Sequence, residues 1–91
     1  MAFPNYSSPE LVTILTGMAA KEGFTLYASA QAMALRWFDA ARIKEGADFG
    51  NARSARGLLG EMRRRLGERT EDLPDGSPEL DIFIDQDVPH A

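Results

Sequence analysis

Two arginines stand where a helix ordinarily avoids them. In Phe49-Gly50-Asn51-Ala52-Arg53-Ser54-Ala55-Arg56-Gly57-Leu58, Gly50-Asn51 opens a helix, with Asn51 as its N-cap. Arg53 and Arg56 then fall in the first turns. The positive end of the helix dipole disfavours cations there by a few tenths of a kcal/mol. The placement makes chemical sense if an anion arrives, because helix N–H groups and guanidinium groups then converge on a phosphate. Gly50, Asn51, Arg53 and Arg56 are therefore the candidate binding residues. The competing reading pairs the two arginines with Asp48 or with the acidic C-terminal segment. Spacing alone leaves both open.

Other chemistry has little to work with. The chain has no cysteine and a single histidine, His90, beside the C-terminus. That excludes a disulfide framework, a thiolate metal site and a multi-histidine centre. The serines sit at capping or loop positions without a base in reach, so no catalytic residue is assigned. Asp85 and Asp87 could hold Mg²⁺ or Ca²⁺, but the twelve-residue calcium loop pattern is absent, and helix N-terminal acids are the simpler reading. Gly57-Leu-Leu-Gly60 lacks the Lys-Ser/Thr that completes a phosphate loop. No ATPase turnover is expected from this chain alone. Trp37 stands in an apolar stripe and reads as core, not as a stacking platform.

Charge is segregated. Residues 53–69 carry six arginines against Glu61 and Glu68, net +4, and residues 70–91 carry seven acids and no Lys or Arg, net −7. Such a pattern suits either a nucleic-acid module with an opposing tail or two segments that face each other in one fold. The acidic total of −4 favours the second. The 91 residues suffice for one small domain. No apolar run approaches a bilayer span and no signal peptide is evident, so a soluble cytoplasmic domain, without membrane or nucleic-acid partners, is expected.

The elements that would position the arginines follow from periodicity. Ser7 and Glu10 form a capping box around Pro9, and Leu11, Ile14, Leu15, Met18 and Ala19 mark one face of a helix over Ser8–Glu22, closed at Gly23. Phe24–Tyr27 reads as a short strand. Ser29 caps a second helix ending at Gly46, with Met33, Trp37, Ala40 and Ala41 on one side and Ala30 and Ala34 allowing close approach. Leu35 and Phe38 widen its stripe. The third helix buries Ala55, Leu58, Leu59, Met62 and Leu66. Its Gly57, Gly60 and Gly67 each cost about 1 kcal/mol against alanine, which predicts close packing or fraying near Gly67. Arg63, Arg64 and Arg65 fan around it and cannot share one partner. Residues 70–80 read as loop. Leu80, Ile82 and Ile84 alternate with Asp81, Phe83 and Asp85, predicting a strand that pairs in parallel with Phe24–Tyr27. Trp37 is expected between the second and third helices, and Asp85–Val88 opens a further helix.

The arginine segment resembles the sensor 2 region of AAA+ ATPases. Phe49-Gly50-Asn51-Ala52-Arg53 with Arg56 is similar to the Phe-Gly-Asn-x-Arg-x-x-Arg pattern of the CbxX/CfqX family, which includes red-type Rubisco activases, sporulation stage V protein K and type VII secretion ATPases. Phe3-Pro4-x-Tyr6, Glu10-Leu11, Met18-Ala19 and Gly23-Phe24-x-Leu26 resemble the opening of that family's small C-terminal subdomain, and Ile84-x-x-Asp87-Val88 its close. Ala55 and Gly57 depart from the pattern. Ala55-Arg56-Gly57-Leu58 instead resembles the sensor 2 segment of Clp-type unfoldases, which leaves open whether Arg53 or Arg56 faces the nucleotide.

The resemblance implies a lid subdomain over residues 3–88 of a longer ATPase, with Met1 and Ala2 outside it. Its fold would be mainly α, a bundle of three to four helices with a two-stranded parallel sheet. By the same resemblance, ATP with Mg would be held mainly by the large subdomain. Sensor 2 would reach the phosphates, and lid movement would drive a homo-hexamer that remodels a protein client. Phe3, Tyr6 and part of the first helix would be left exposed by separation from neighbouring parts. The alternative is a stand-alone helical module that binds nucleic acid or a protein through Arg53–Arg69.

Overall fold

A computed structural model describes residues 6–45 and 52–89. Among them are three helices, α1 (Ser8–Lys21), α2 (Ala28–Glu45) and α3 (Ala52–Arg69). Two short strands, β1 (Thr25–Leu26) and β2 (Ile82–Phe83), complete the fold with 3₁₀ turns at Pro78–Asp81 and Asp85–Asp87. The architecture is mainly α with a two-stranded parallel sheet, as expected from the sequence.

α1 begins where its capping chemistry says. The Ser7 N–H donates to Glu10 Oε1 at 2.9 Å, and Ser7 Oγ accepts from the Glu10 N–H at 3.3 Å. These reciprocal bonds satisfy donors that the first turn cannot pair internally. They also hold the Glu10 carboxyl below its usual range, the Ser7 backbone N–H contributing most. The helix stops at Lys21, and Gly23 takes φ +88°, which a side chain rarely adopts. Leu11, Leu15 and Ala19 are fully buried, so α1 is the central helix, packed against both α2 and α3. Its apolar face is not left open: Val12, Ile14 and Met18 are half-buried against the same core, as is Tyr6. Phe3 lies outside the described residues.

That central position corrects the placement of Trp37. The side of α2 that meets the core is Ala30, Ala34 and Phe38, at i, i+4 and i+8, all fully buried. Two alanines let α2 approach α1 closely, and Phe38 fills the space beyond them. Trp37, one position round the helix, is half-buried and meets Phe38 edge-on at 5.5 Å between ring centroids. It is not sandwiched between α2 and α3. Ser29 does not cap α2 either, since the helix already starts at Ala28. The first turn is anchored by the Tyr27 carbonyl, which accepts from Gln31 N–H, while Gln31 Nε2 donates to Leu26 O. Gly46 lies outside the described residues.

β1 and β2 pair in parallel, Thr25 opposite Ile82 and Leu26 opposite Phe83. The Tyr27 N–H extends the ladder to Phe83 O at 3.0 Å. The strands are shorter than the alternation suggested, because a 3₁₀ turn occupies Pro78–Asp81. The inward residue also differs. Phe83 is fully buried, whereas Leu80, Ile82 and Ile84 are half-buried. Alternating side chains face opposite ways, so one register step exchanges the faces. Phe83 takes the core side by stacking on Phe24, with ring centroids 5.0 Å apart. Asp85–Asp87 form a single 3₁₀ turn, after which Val88 is extended and buried.

Candidate functional site

α3 carries the candidate site, and its orientation is fixed by the apolar stripe read from sequence. Ala55, Leu58, Leu59, Met62 and Leu66 are all buried. That leaves Arg53 and Arg56 exposed, three residues apart on the outer side of the first turns. Gly50 and Asn51, the proposed N-terminal partners, lie outside the described residues, as does Asp48. Arg56 lines a shallow groove with Met18, Lys21 and Glu22 of the α1 end and Leu59, Gly60 and Arg63 of α3. No described ion pair involves Arg56.

The later arginines are different. Arg63 pairs with Glu22 at 2.8 Å and stands over the Phe24 ring, 5.9 Å from its centroid. Arg64 is gripped by Glu61 and Glu68. Arg65 Nε lies 3.4 Å from Glu61. Glu61 is consequently held below the usual carboxylate range, chiefly by its hydrogen bond with Arg64. No single partner serves all three arginines, though Arg64 and Arg65 share Glu61, and the partners other than Glu22 are α3's own acids at i±3 and i±4.

Arg69 is the one arginine that reaches the acidic segment by a described pair. Its Nε donates to Asp87 Oδ1 at 3.0 Å and its Nη2 to Asp87 Oδ2 at 2.9 Å. Nη2 also donates to Ile82 O at 3.2 Å, and the Ile84 N–H donates to Asp87 Oδ2. Asp87 is 1% exposed. Its bond to Asp87 raises the Arg69 pKa further above its ordinary value. Sequence reading made Asp87 a helix N-terminal acid, with no partner assigned. Its neighbour Val88, at the end of the Ile84-x-x-Asp87-Val88 pattern, was the available signal that this segment packs inward.

The glycines of α3 also depart from expectation. A Cβ added at Gly57, Gly60 or Gly67 meets nothing within 4 Å, so no close packing among the described residues requires them. The helix runs on to Arg69 without ending at Gly67. Among the described residues, no group of three or more His, Asp or Glu could hold a metal ion, and no helix is long and apolar enough to cross a membrane.

The family model of the AAA lid domain matches residues 7–91. No curated protein matches the chain.

Proposed function

The chain belongs to the AAA lid domain family, and on that premise we propose that it supplies sensor 2 to the nucleotide site of a AAA+ ATPase, through Arg53 or Arg56. The observation that carries this reading is the exposure of Arg56 on the first turns of α3 without a described ion pair, where the later arginines of the helix are paired. Arg63, Arg64, Arg65 and Arg69 each have an acidic partner within the domain. Arg56 has no described ion pair and stands with Arg53 on the exposed first turns. A cation there opposes the helix dipole unless an anion joins it.

A nucleotide's phosphates suit that donor set, since planar guanidinium groups bind phosphate oxygens in pairs. The large subdomain of the same ATPase would hold ATP and Mg. The lid arginine would contact the phosphates and register their loss on hydrolysis. Movement of the lid would pass that change to neighbouring subunits of a homo-hexamer and so to a protein client. The CbxX/CfqX-like Phe49-Gly50-Asn51-Ala52-Arg53 segment supports that branch of the family, and a cytoplasmic location goes with it. The nucleic-acid alternative draws less support, because most arginines it would use are already neutralised by Glu22, Glu61, Glu68 and Asp87.

The test is nucleotide affinity in the ATPase that carries this lid. Loss of one charge-assisted contact is worth about 1.5–3 kcal/mol, or roughly ten- to a hundredfold in Kd. Either Arg53→Ala or Arg56→Ala is expected to show it. Unchanged Kd and turnover in both variants would overturn the proposal.

A further inference from the structure

We propose that Arg42 is a clasp that joins the backbone ahead of α1 to the far end of α2, so that the chain from Tyr6 onward moves with both helices as one body. The inference rests on the lid reading above. Arg42, half-buried in the last turn of α2, donates from Nη2 to the Tyr6 carbonyl at 2.7 Å. The bond spans 36 positions of sequence. Tyr6 itself is half-buried against the core.

α1 does not need this bond. Its ladder starts with Leu11 N–H donating to Ser7 O, and its cap is complete in Ser7 and Glu10. The Tyr6 carbonyl lies before the cap. A guanidinium directed at it fixes the path of the chain into the domain, not the helix. The backbone at Tyr6–Ser7 is thus held by core packing, by the capping box and by Arg42. A displacement delivered ahead of Tyr6 is then passed to α2 as well as α1, and through α1 to α3, which carries Arg53 and Arg56. Without the clasp, the chain could bend at Tyr6–Ser7 and leave the lid behind.

Limited chymotrypsin digestion of the 91-residue chain, with the fragment starting at Ser7 counted by mass spectrometry, tests the contact. Cleavage there requires local opening, and with fast reclosing its rate follows the opening equilibrium. Arg42→Ala is expected to raise that rate roughly ten- to a hundredfold, the loss expected for a bond from a charged donor. Arg42→Lys is expected to keep part of the protection. Arg36→Ala, exposed on the same helix, is expected to change nothing. No rise, or a rise matched by an equal loss of global stability in urea, overturns the clasp. In the ATPase carrying this lid, Arg42→Ala is expected to lower kcat several-fold with nucleotide Kd within about twofold, and an unchanged kcat overturns the coupling. The sensor reading fails by a different result, unaltered Kd in Arg53→Ala and Arg56→Ala, which leaves the digestion outcome standing.

Discussion

Removing Arg69 should destabilise the domain strongly, while removing its partner should cost less. In Arg69→Ala, Asp87 stays 1% exposed and keeps only the Ile84 N–H as a described donor. An uncompensated buried charge costs about 3–5 kcal/mol. In Asp87→Asn the position keeps its shape, and Arg69, whose side chain is 25% exposed, can still reach water. That variant should cost about 1–3 kcal/mol, the range for losing a charged hydrogen bond. A domain of 91 residues has about 5–14 kcal/mol of stability in all. Urea denaturation followed by Trp37 fluorescence measures both variants. With a slope of about 1–3 kcal/mol per molar, Arg69→Ala should lower the midpoint by about 1 M or more. Replacing both residues by apolar ones, Arg69→Met with Asp87→Leu, should recover much of the loss, because the buried charge is gone. An Arg69→Ala cost below about 1 kcal/mol, or a double variant no better than Arg69→Ala, would refute the reasoning.

Four further outcomes are expected. Ser7→Ala should cost about 1 kcal/mol. The Glu10 share of the cap follows pH. Its folded pKa lies below the ordinary 4.5, so its contribution is complete above that value and lost as pH falls through the lower folded value. The stability gap between wild type and Glu10→Gln should therefore close under acid titration. Gly60→Ala should stabilise the isolated chain by about 0.5–1 kcal/mol in urea melts, since its Cβ meets open space, whereas Gly23→Ala should destabilise it because of the positive φ. Labelled RNA or duplex DNA, titrated at low ionic strength, should show no micromolar binding with a steep salt slope.

Periodicity sufficed wherever one helix face meets one neighbour. The α3 stripe of Ala55, Leu58, Leu59, Met62 and Leu66 was legible residue by residue, and so was the Ser7–Glu10 cap, because both are local. α2 was read less well. Apolar residues surround much of that helix, and the choice between Trp37 and Phe38 for the core depends on how closely Ala30 and Ala34 let α1 approach. The parallel pairing of β1 and β2 followed from having only two strand-like segments, but its inward residue turned on a single register step. Asp87 was missed because an acid near the C-terminus looks solvated until the chain folds back onto Arg69.

The charge segregation that suggested two opposed segments has a specific physical outcome. The basic and acidic stretches do not neutralise each other as blocks, since one described ion pair, Arg69–Asp87, links them. Arg63, Arg64 and Arg65 are paired with Glu22, Glu61 and Glu68. The acids after Thr70 other than Asp87 have no described ion pair. Arg56, thirteen residues before Arg69 on α3 and so about 20 Å from it by helix rise, likewise has none. At physiological salt, where interactions between exposed charges fade over about 8 Å, such a separation leaves little attraction between Arg56 and acids near Arg69. Electrostatic pull from acids near Arg69 therefore does not account for Arg56 at the start of α3, which is why we propose an external anion there.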